Sequence, residues 1–138
     1  MGTKKDEQRE KDLRAIAWMI EYHIDSGDWY SDYDNIKHLD YYVVRDAEFG
    51  DILAYILWTD AGDCIRGLRS GVRRANRGQG LAVRLYKRLK AYAKRQGKPY
   101  KTYCALTNIP SLNAHFKAGM KIEKIREHSD FTEVHLTT

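Results

Sequence analysis

No stretch of this chain approaches the ~20 consecutive apolar residues that a bilayer-spanning helix needs, and the N-terminus is charged. Neither a signal peptide nor a membrane anchor is therefore expected, and the expected location is cytoplasmic. Proline is scarce, with two residues in all, while 43% of the chain is hydrophobic. That balance excludes a disordered, linker-like chain and leaves one compact domain over residues 1–138. Cysteine is equally scarce. Cys64 and Cys104 stand alone without CxxC spacing, which argues against a disulfide framework and for reduced core thiols. The five histidines show no ligand spacing such as HxxxH, so no metal site is expected. The most telling absence is of acids: from Cys64 to Ile122 there is no Asp or Glu, against fifteen Lys or Arg. Residues 1–63 reverse the balance with fifteen acids and seven bases, and the last sixteen residues hold four acids and two bases. Segments of net charge −8, +15 and −2 imply two surfaces, one suited to an anion and one to a cation. The plainer alternative is a solvated cationic helix face.

The elements that are present alternate in type. Residues 4–25 read as an amphipathic helix whose stripe is Leu13, Ile16, Ala17, Met19, Ile20, His23 and Ile24. Its mixed-charge first turns are expected to fray or project, and Ser26-Gly27-Asp28 to end it. Residues 28–40 mix aromatics and acids, with a short helix capped by Ser31 or Asp32 and running to about Leu39; they read as an irregular lip. Tyr41–Asp46, Ile52–Thr59 and Cys64–Arg73 are predicted strands joined by turns at 48–51 and 60–63. Gly67 and Gly71 inside the third strand imply a bulge or a close backbone approach. Leu81–Gln96 is the clearest helix, buried through Ala82, Leu85, Tyr86, Leu89, Tyr92 and Ala93, and ended by Gly97 and Pro99. A strand at Tyr100–Leu106, a helix at Ser111–Ala118 and strands at Lys121–Arg126 and Phe131–Leu136 complete an α+β domain around a mixed sheet. The strand–helix–strand crossover requires one parallel pair.

Between the third strand and the clearest helix lies Arg77-Gly78-Gln79-Gly80-Leu81-Ala82. Glycines at a strand-to-helix turn let backbone N–H groups point outward, where they bind an anion. A Walker loop requires GxxxxGK[ST], and no Lys-Ser or Lys-Thr follows these glycines. A dinucleotide fingerprint requires Gly or Ala where Val83 stands, and an acid some twenty residues on, in the acid-free segment. Both fail.

Arg77-x-x-Gly80-x-Ala82 resembles the [RQ]-x-x-G-x-[GA] loop of the GCN5-related N-acetyltransferase (GNAT) family. Val72 five residues earlier, Asn108, Ser111 and Gly119-Met120 fall where that family has its matching positions, so the resemblance covers about residues 41–126. It implies a GNAT-like fold divided into a helical acceptor-side segment (1–40), an acetyl-CoA-binding core (41–126) and a C-terminal strand (127–138). It also implies direct transfer of acetyl from acetyl-CoA to an amine, without a covalent enzyme intermediate or a metal. The resemblance places the pyrophosphate on the amides of Gly78, Gln79, Gly80, Leu81 and Ala82, with Arg73, Arg74 and Arg77 around it. It places the pantetheine arm along Ser70, Gly71 and Val72, and Asn108 and Ser111 in the same groove. Asn108 and Ser111 read equally well as a helix start and cap. The family usually opens on a strand before its first helix. This chain opens on helix formers, so the sheet lacks that strand or a partner chain supplies it, and a homodimer is open.

The family's usual proton donor to the thiolate is a tyrosine seven residues after the Asn; here that position is His115. An imidazolium can serve, while packing on the short helix is the alternative, with Tyr103 as a spare donor. Asp46, Glu48, Asp60 and Asp63 are the acids available as a base, and their residue types suit turns better. Asp25, Asp28, Asp32, Asp34 and Asp40, interleaved with Trp29, Tyr30 and Tyr33, favour a cationic amine acceptor, a small molecule or a protein lysine. Arg84, Lys87, Arg88 and Arg95 on one helix face suit a second reading, an enzyme that acts on or binds RNA. A third keeps the fold as a catalytically silent regulator.

Overall fold

The computed structural model describes residues 3–23 and 28–138; Ile24, Asp25, Ser26 and Gly27, and the side chain of His23, lie outside the described residues. Helix α1 (Lys4–His23) does not fray at its start. Thr3 Oγ1 accepts from the Asp6 N–H at 3.1 Å and the Asp6 carboxylate accepts from the Thr3 N–H at 3.2 Å, a reciprocal cap that satisfies two otherwise orphaned donors. Of the two expectations for these turns, projection holds: they extend into solvent as a capped helix, held by a Thr-x-x-Asp signal already present in the sequence. From α1, Leu13, Ile16, Ala17, Met19 and Ile20 pack against Tyr55 and Leu57. At roughly 2 kcal/mol per buried side chain this contact is worth on the order of 10 kcal/mol, before the entropy of ordering the helix is subtracted.

A 3-10 turn (Trp29–Ser31) and helix α2 (Tyr33–Ile36) follow. Asp32 rather than Ser31 caps α2, through its carboxylate and the Asp34 N–H at 2.9 Å. The helix stops at Ile36, short of Leu39, because Arg9 captures the carbonyls of Lys37 and Leu39. Ile36 is fully buried in the α1 cluster, so this segment is a lip with one anchor in the core.

The sheet is built from β1 (Asp40–Arg45), β2 (Ile52–Asp60), β3 (Ile65–Val72), β4 (Tyr100–Ala105), β5 (Lys121–Glu127) and β6 (Thr132–Thr137). Their order is β1-β2-β3-β4-β6-β5, and among the described residues no strand precedes α1. All neighbours are antiparallel except β3 and β4, the parallel pair that the crossover required. Strand β2 is buried on both faces: Tyr55 and Leu57 join the α1 cluster, while Ala54, Ile56 and Trp58 join a larger one under helix α3 (Leu81–Arg95) and helix α4 (Ile109–Lys117). The α3 stripe is Leu81, Leu85, Tyr86, Leu89 and Ala93. Both glycine expectations in β3 hold together. The register slips opposite Leu68, and a Cβ would lie 2.9 Å from the Tyr100 ring at Gly67 and 2.8 Å from the Tyr55 ring at Gly71.

One buried charge ties α1 to β1. Asp12 is only 2% exposed and accepts from Tyr41 Oη (2.6 Å), Gln8 Nε2 (2.9 Å) and Arg45 Nη2 (2.5 Å). Burial works to raise the Asp12 pKa, but hydrogen bonds from Arg45, Tyr41 and Gln8 outweigh it and hold the carboxyl below its usual value. The Tyr41 hydroxyl is pushed up to about 12 by burial and by this neighbour.

Candidate active site

Strands β3 and β4 pair at only two positions, Ile65 with Tyr100 and Arg66 with Lys101, and then diverge. The Thr102 hydroxyl donates to the Gly67 carbonyl at 3.0 Å across the start of the opening. Beyond it, β3 keeps β2 on one side and presents an unpaired strand edge to the gap on the other. A strand edge inside a sheet offers backbone donors and acceptors at fixed spacing, to which an extended amide-bearing ligand can add. The gap is a cleft of about 810 Å³, within the range of small-molecule sites. Eleven of the twelve site residues expected from the sequence line it; Gln79 does not.

The glycine loop forms one end. Gly78 and Gly80 adopt φ of 81° and 75°, the left-handed region that glycine enters without steric cost. Gly80 precedes α3 and no side chain caps that helix, so its first-turn amides remain available to a ligand. Arg73, Arg74 and Arg77 are exposed around the loop, and Arg77 Nε donates to the Val72 carbonyl at 3.4 Å. An anion placed here meets the positive end of the α3 dipole and no carboxylate from the surrounding segment.

Helix α4 forms the wall. Asn108 caps it, its side-chain oxygen accepting from the Ser111 N–H at 3.3 Å, so its role as a cap is realised while the residue also lines the cleft. His115 is 4% exposed and its Nδ1 lies 2.7 Å from the Ser111 carbonyl. A carbonyl only accepts, so Nδ1 carries the hydrogen and Nε2 keeps its lone pair. Burial drives the His115 pKa down, with the Ser111 contact opposing, and the ring is held neutral. It stacks on Tyr86 with centroids 3.9 Å apart, and the Tyr86 hydroxyl is 2.6 Å from Ser70 Oγ on β3. Burial raises the Tyr86 pKa, which keeps the O–H intact. Nearby the Tyr100 hydroxyl is buried without a hydrogen-bond partner among the described residues.

The cleft also opens toward the α1 face. There Arg69 stands beside Asp28 (3.4 Å), with its buried Nε unpartnered among the described residues. Tyr30 has its pKa raised by burial and then by the nearness of Tyr103 and Asp28; Tyr55 below is pushed up to about 12 by burial. Much of the acidic lip is occupied by this chain itself. Asp28 caps the 3-10 turn, Asp32 caps α2, Asp34 pairs with Lys37, and Arg14 lies over the Tyr33 ring at 4.0 Å. Asp25 falls outside the described residues. Of the acids considered as a base, none lines the cleft: Asp46 closes the β1–β2 turn and Asp60 pairs with Lys98. Sequence reasoning missed Arg69 and Tyr86 as wall residues. The signal available for Tyr86 was its place on the inward stripe one helical turn after Ala82. Cys64 is buried and Cys104 half-buried, and both thiols are free.

Residues 9–120 match the family model described as "Acetyltransferase (GNAT) family". No curated protein matches the chain by sequence. Among solved structures, the ribosomal-protein-S18-alanine N-acetyltransferase of Escherichia coli is 16% identical over 92% of this chain and 86% of its own, with a TM-score of 0.74. A variant of spermidine N-acetyltransferase from Vibrio cholerae is 14% identical over 93% and 89%, with a TM-score of 0.74. The protein yncA from Salmonella typhimurium, solved with its cofactor acetyl-CoA, is 17% identical over 94% and 88%, with a TM-score of 0.72. At these identities the likeness is one of fold.

Proposed function

The chain belongs to the acetyltransferase (GNAT) family and is an acyltransferase, and we propose that it passes the acetyl group of acetyl-CoA, held in the β3–β4 cleft, directly to a primary amine of a cationic small molecule or a protein lysine. The observation that carries this reading is the divergence of β3 from β4, which leaves one cleft open to both faces of the sheet. A donor held by the glycine loop and the β3 edge can then meet an acceptor arriving past Trp29, Tyr30 and Tyr103.

The residues fit acetyl-CoA in character. First-turn amides of α3 and the arginines suit a pyrophosphate, and the free β3 edge at Ser70, Gly71 and Val72 suits the amides of pantetheine. Acetyl-CoA supplies the activated acyl carbon. A β3 N–H facing the thioester oxygen would stabilise the charge that develops there. Proton return to the thiolate is assigned to the stacked pair His115–Tyr86. Tyr86 brings an intact O–H, whereas His115 donates from Nε2 only after taking up a proton that burial disfavours. If His115 is the donor, turnover rises as pH falls toward 6 and His115→Ala abolishes the rise; if Tyr86 is, Tyr86→Phe lowers turnover and His115→Ala leaves the profile's shape intact.

The lip supports a cationic acceptor through the exposed Trp29 ring, Tyr30 and those carboxylates its own bases leave open. No helix is long and apolar enough to cross a membrane among the described residues, and a cytoplasmic location completes the reading. The test is thiol release from acetyl-CoA with a panel of a polyamine, an aminoglycoside, a lysine peptide and anionic amines. Turnover confined to the anionic amines overturns the cationic assignment, and no turnover with any acceptor leaves the silent-regulator reading. The RNA reading draws on the outward face of α3, where Arg84, Lys87, Arg88 and Arg95 are exposed and pair with no carboxylate among the described residues, although Arg88 lies over the Tyr42 ring at 3.9 Å. Lack of tRNA binding at low salt ends it.

A further inference from the structure

The α1 cluster contains no residue of β4, β5 or β6. On that side of the sheet a polar group stands beside the mouth of the cleft. Tyr103, which lines the cleft, is paired across the ladder with His135 on β6, and their rings stack with centroids 5.5 Å apart. His135 Nε2 is hydrogen-bonded to the Glu133 carboxylate two residues earlier on the same strand, and Glu133 Oε2 also lies 3.8 Å from His128 Nε2. The side chains of Glu133 and His135 are 14% and 18% exposed, so they are sheltered without being sealed. A carboxylate only accepts, which puts the imidazole hydrogen on Nε2 and leaves a lone pair on Nδ1. An imidazole oriented in this way by a carboxylate through one nitrogen is prepared to take a proton on the other.

We propose that Glu133 and His135, with Tyr103 as the wall between them and the cleft, form the proton acceptor that deprotonates the acceptor amine. This deepens the acetyl-transfer reading and rests on it. The acceptor arrives as an ammonium, which has no electron pair to attack with. Because Glu133 and His135 stand behind Tyr103 and outside the cleft lining, a water carries the proton. The ammonium N–H bond breaks, a bond forms from that hydrogen to the water oxygen as one of the water's own hydrogens passes to His135 Nδ1, and the electron pair stays on nitrogen. The neutral amine then attacks the thioester carbon, and the C–S bond breaks with its pair leaving on sulfur. The thiolate takes its proton from the His115–Tyr86 pair, the amine's second proton restores that pair, and His135 returns its own to solvent. Glu133 keeps the ring in register and offsets the positive charge while His135 holds the proton. The charged or titratable groups facing His135 are Glu133 on its own strand, Tyr103 on β4, and Lys124 and Glu123 on β5, with His128 reaching it through Glu133.

The test compares two small probes at pH 7.5: n-propylamine, which is an ammonium at that pH, and trifluoroethylamine, which is already neutral. His135→Gln retains a donor for Glu133 but has no lone pair of useful basicity. It is expected to lower kcat/KM for n-propylamine about 100-fold while changing that for trifluoroethylamine less than threefold. Coenzyme A binding by titration calorimetry should be unchanged, which establishes that the variant is folded. Glu133→Gln should give a smaller loss of the same selective kind, and raising the pH should restore n-propylamine turnover in His135→Gln. Equal loss with both amines, or none with n-propylamine, overturns the assignment alone. Absence of thiol release from the unaltered protein with both amines and with every acceptor of the panel above, despite coenzyme binding, overturns the acetyl-transfer reading as well.

Discussion

The two faces of the sheet are stabilised and used in different ways. Under α3 and α4 the packing is dominated by apolar side chains, and Tyr86, Tyr100, Thr102 and His115 gather where the cleft opens. Under α1 a smaller apolar cluster surrounds a buried carboxylate held by Arg45, Tyr41 and Gln8. Toward a ligand the first face presents chiefly backbone: a strand edge, first-turn amides and glycines. The second offers side chains, among them Asp28, Arg69, Tyr30 and Tyr103. Backbone recognition suits a donor of constant structure, and side-chain recognition suits an acceptor that can differ from one relative to another.

The sharpest way to break this contrast is Asp12→Ala. It removes the buried acceptor that Tyr41, Gln8 and Arg45 share, while Arg45 itself is exposed enough to rehydrate, and is expected to cost about 2–3 kcal/mol in urea denaturation. A loss below 1 kcal/mol would mean that α1 is held by apolar contact alone. The same site sets an acid limit. Because the folded Asp12 pKa lies below its unfolded value near 3.8, its contribution is complete above that pH and fades as pH falls through the folded value. Next comes Gly71→Ala, whose added Cβ would meet the packed Tyr55 ring at 2.8 Å and should cost about 1–3 kcal/mol, with loss of coenzyme A affinity from the strand edge. Gly80→Ala tests the cofactor face alone. Its φ of 75° makes a strain of about 1–2 kcal/mol, visible as a lower Tm and weaker coenzyme A binding, while the α1 face is untouched.

Smaller still is the slope contributed by His115. Its folded pKa is depressed, so the unfolded chain binds more protons in the window just below pH 6.5, and stability drops as pH falls from there toward the folded value. His115→Gln should flatten Tm between pH 7.5 and 5.5. The least effect belongs to the lip: Asp34→Asn removes an exposed pair with Lys37 and should shift stability by less than about 0.5 kcal/mol.

What the sequence made legible was local. The α3 stripe, the glycines of β3, the loop at 77–82 and the parallel pair all follow from spacing within some thirty residues. Tyr41 and Arg45 lie 29 and 33 residues from Asp12, and no periodicity relates them, so the buried charge stayed hidden. Ile36 was read as part of a lip because its only apolar partners come from other segments. Eleven of the twelve residues named from the sequence meet at one cleft, but their proton states were out of reach. The hydrogen on His115 Nδ1 is fixed by a carbonyl one helical turn earlier, which has meaning only once α4 is placed. Glu133 and His135 looked like ordinary strand residues until β6 was laid against β4.

The brief pairing of β3 with β4 divides the sheet into two hydrogen-bonded plates, β1–β2–β3 and β4–β6–β5, strapped together by α3. Along the seam beyond Arg66, amide hydrogens on the open edge of β3 can trade with solvent deuterium while both plates stay intact. That open backbone is also the backbone a pantetheine arm would cover, so its protection on adding coenzyme A would report binding strand by strand.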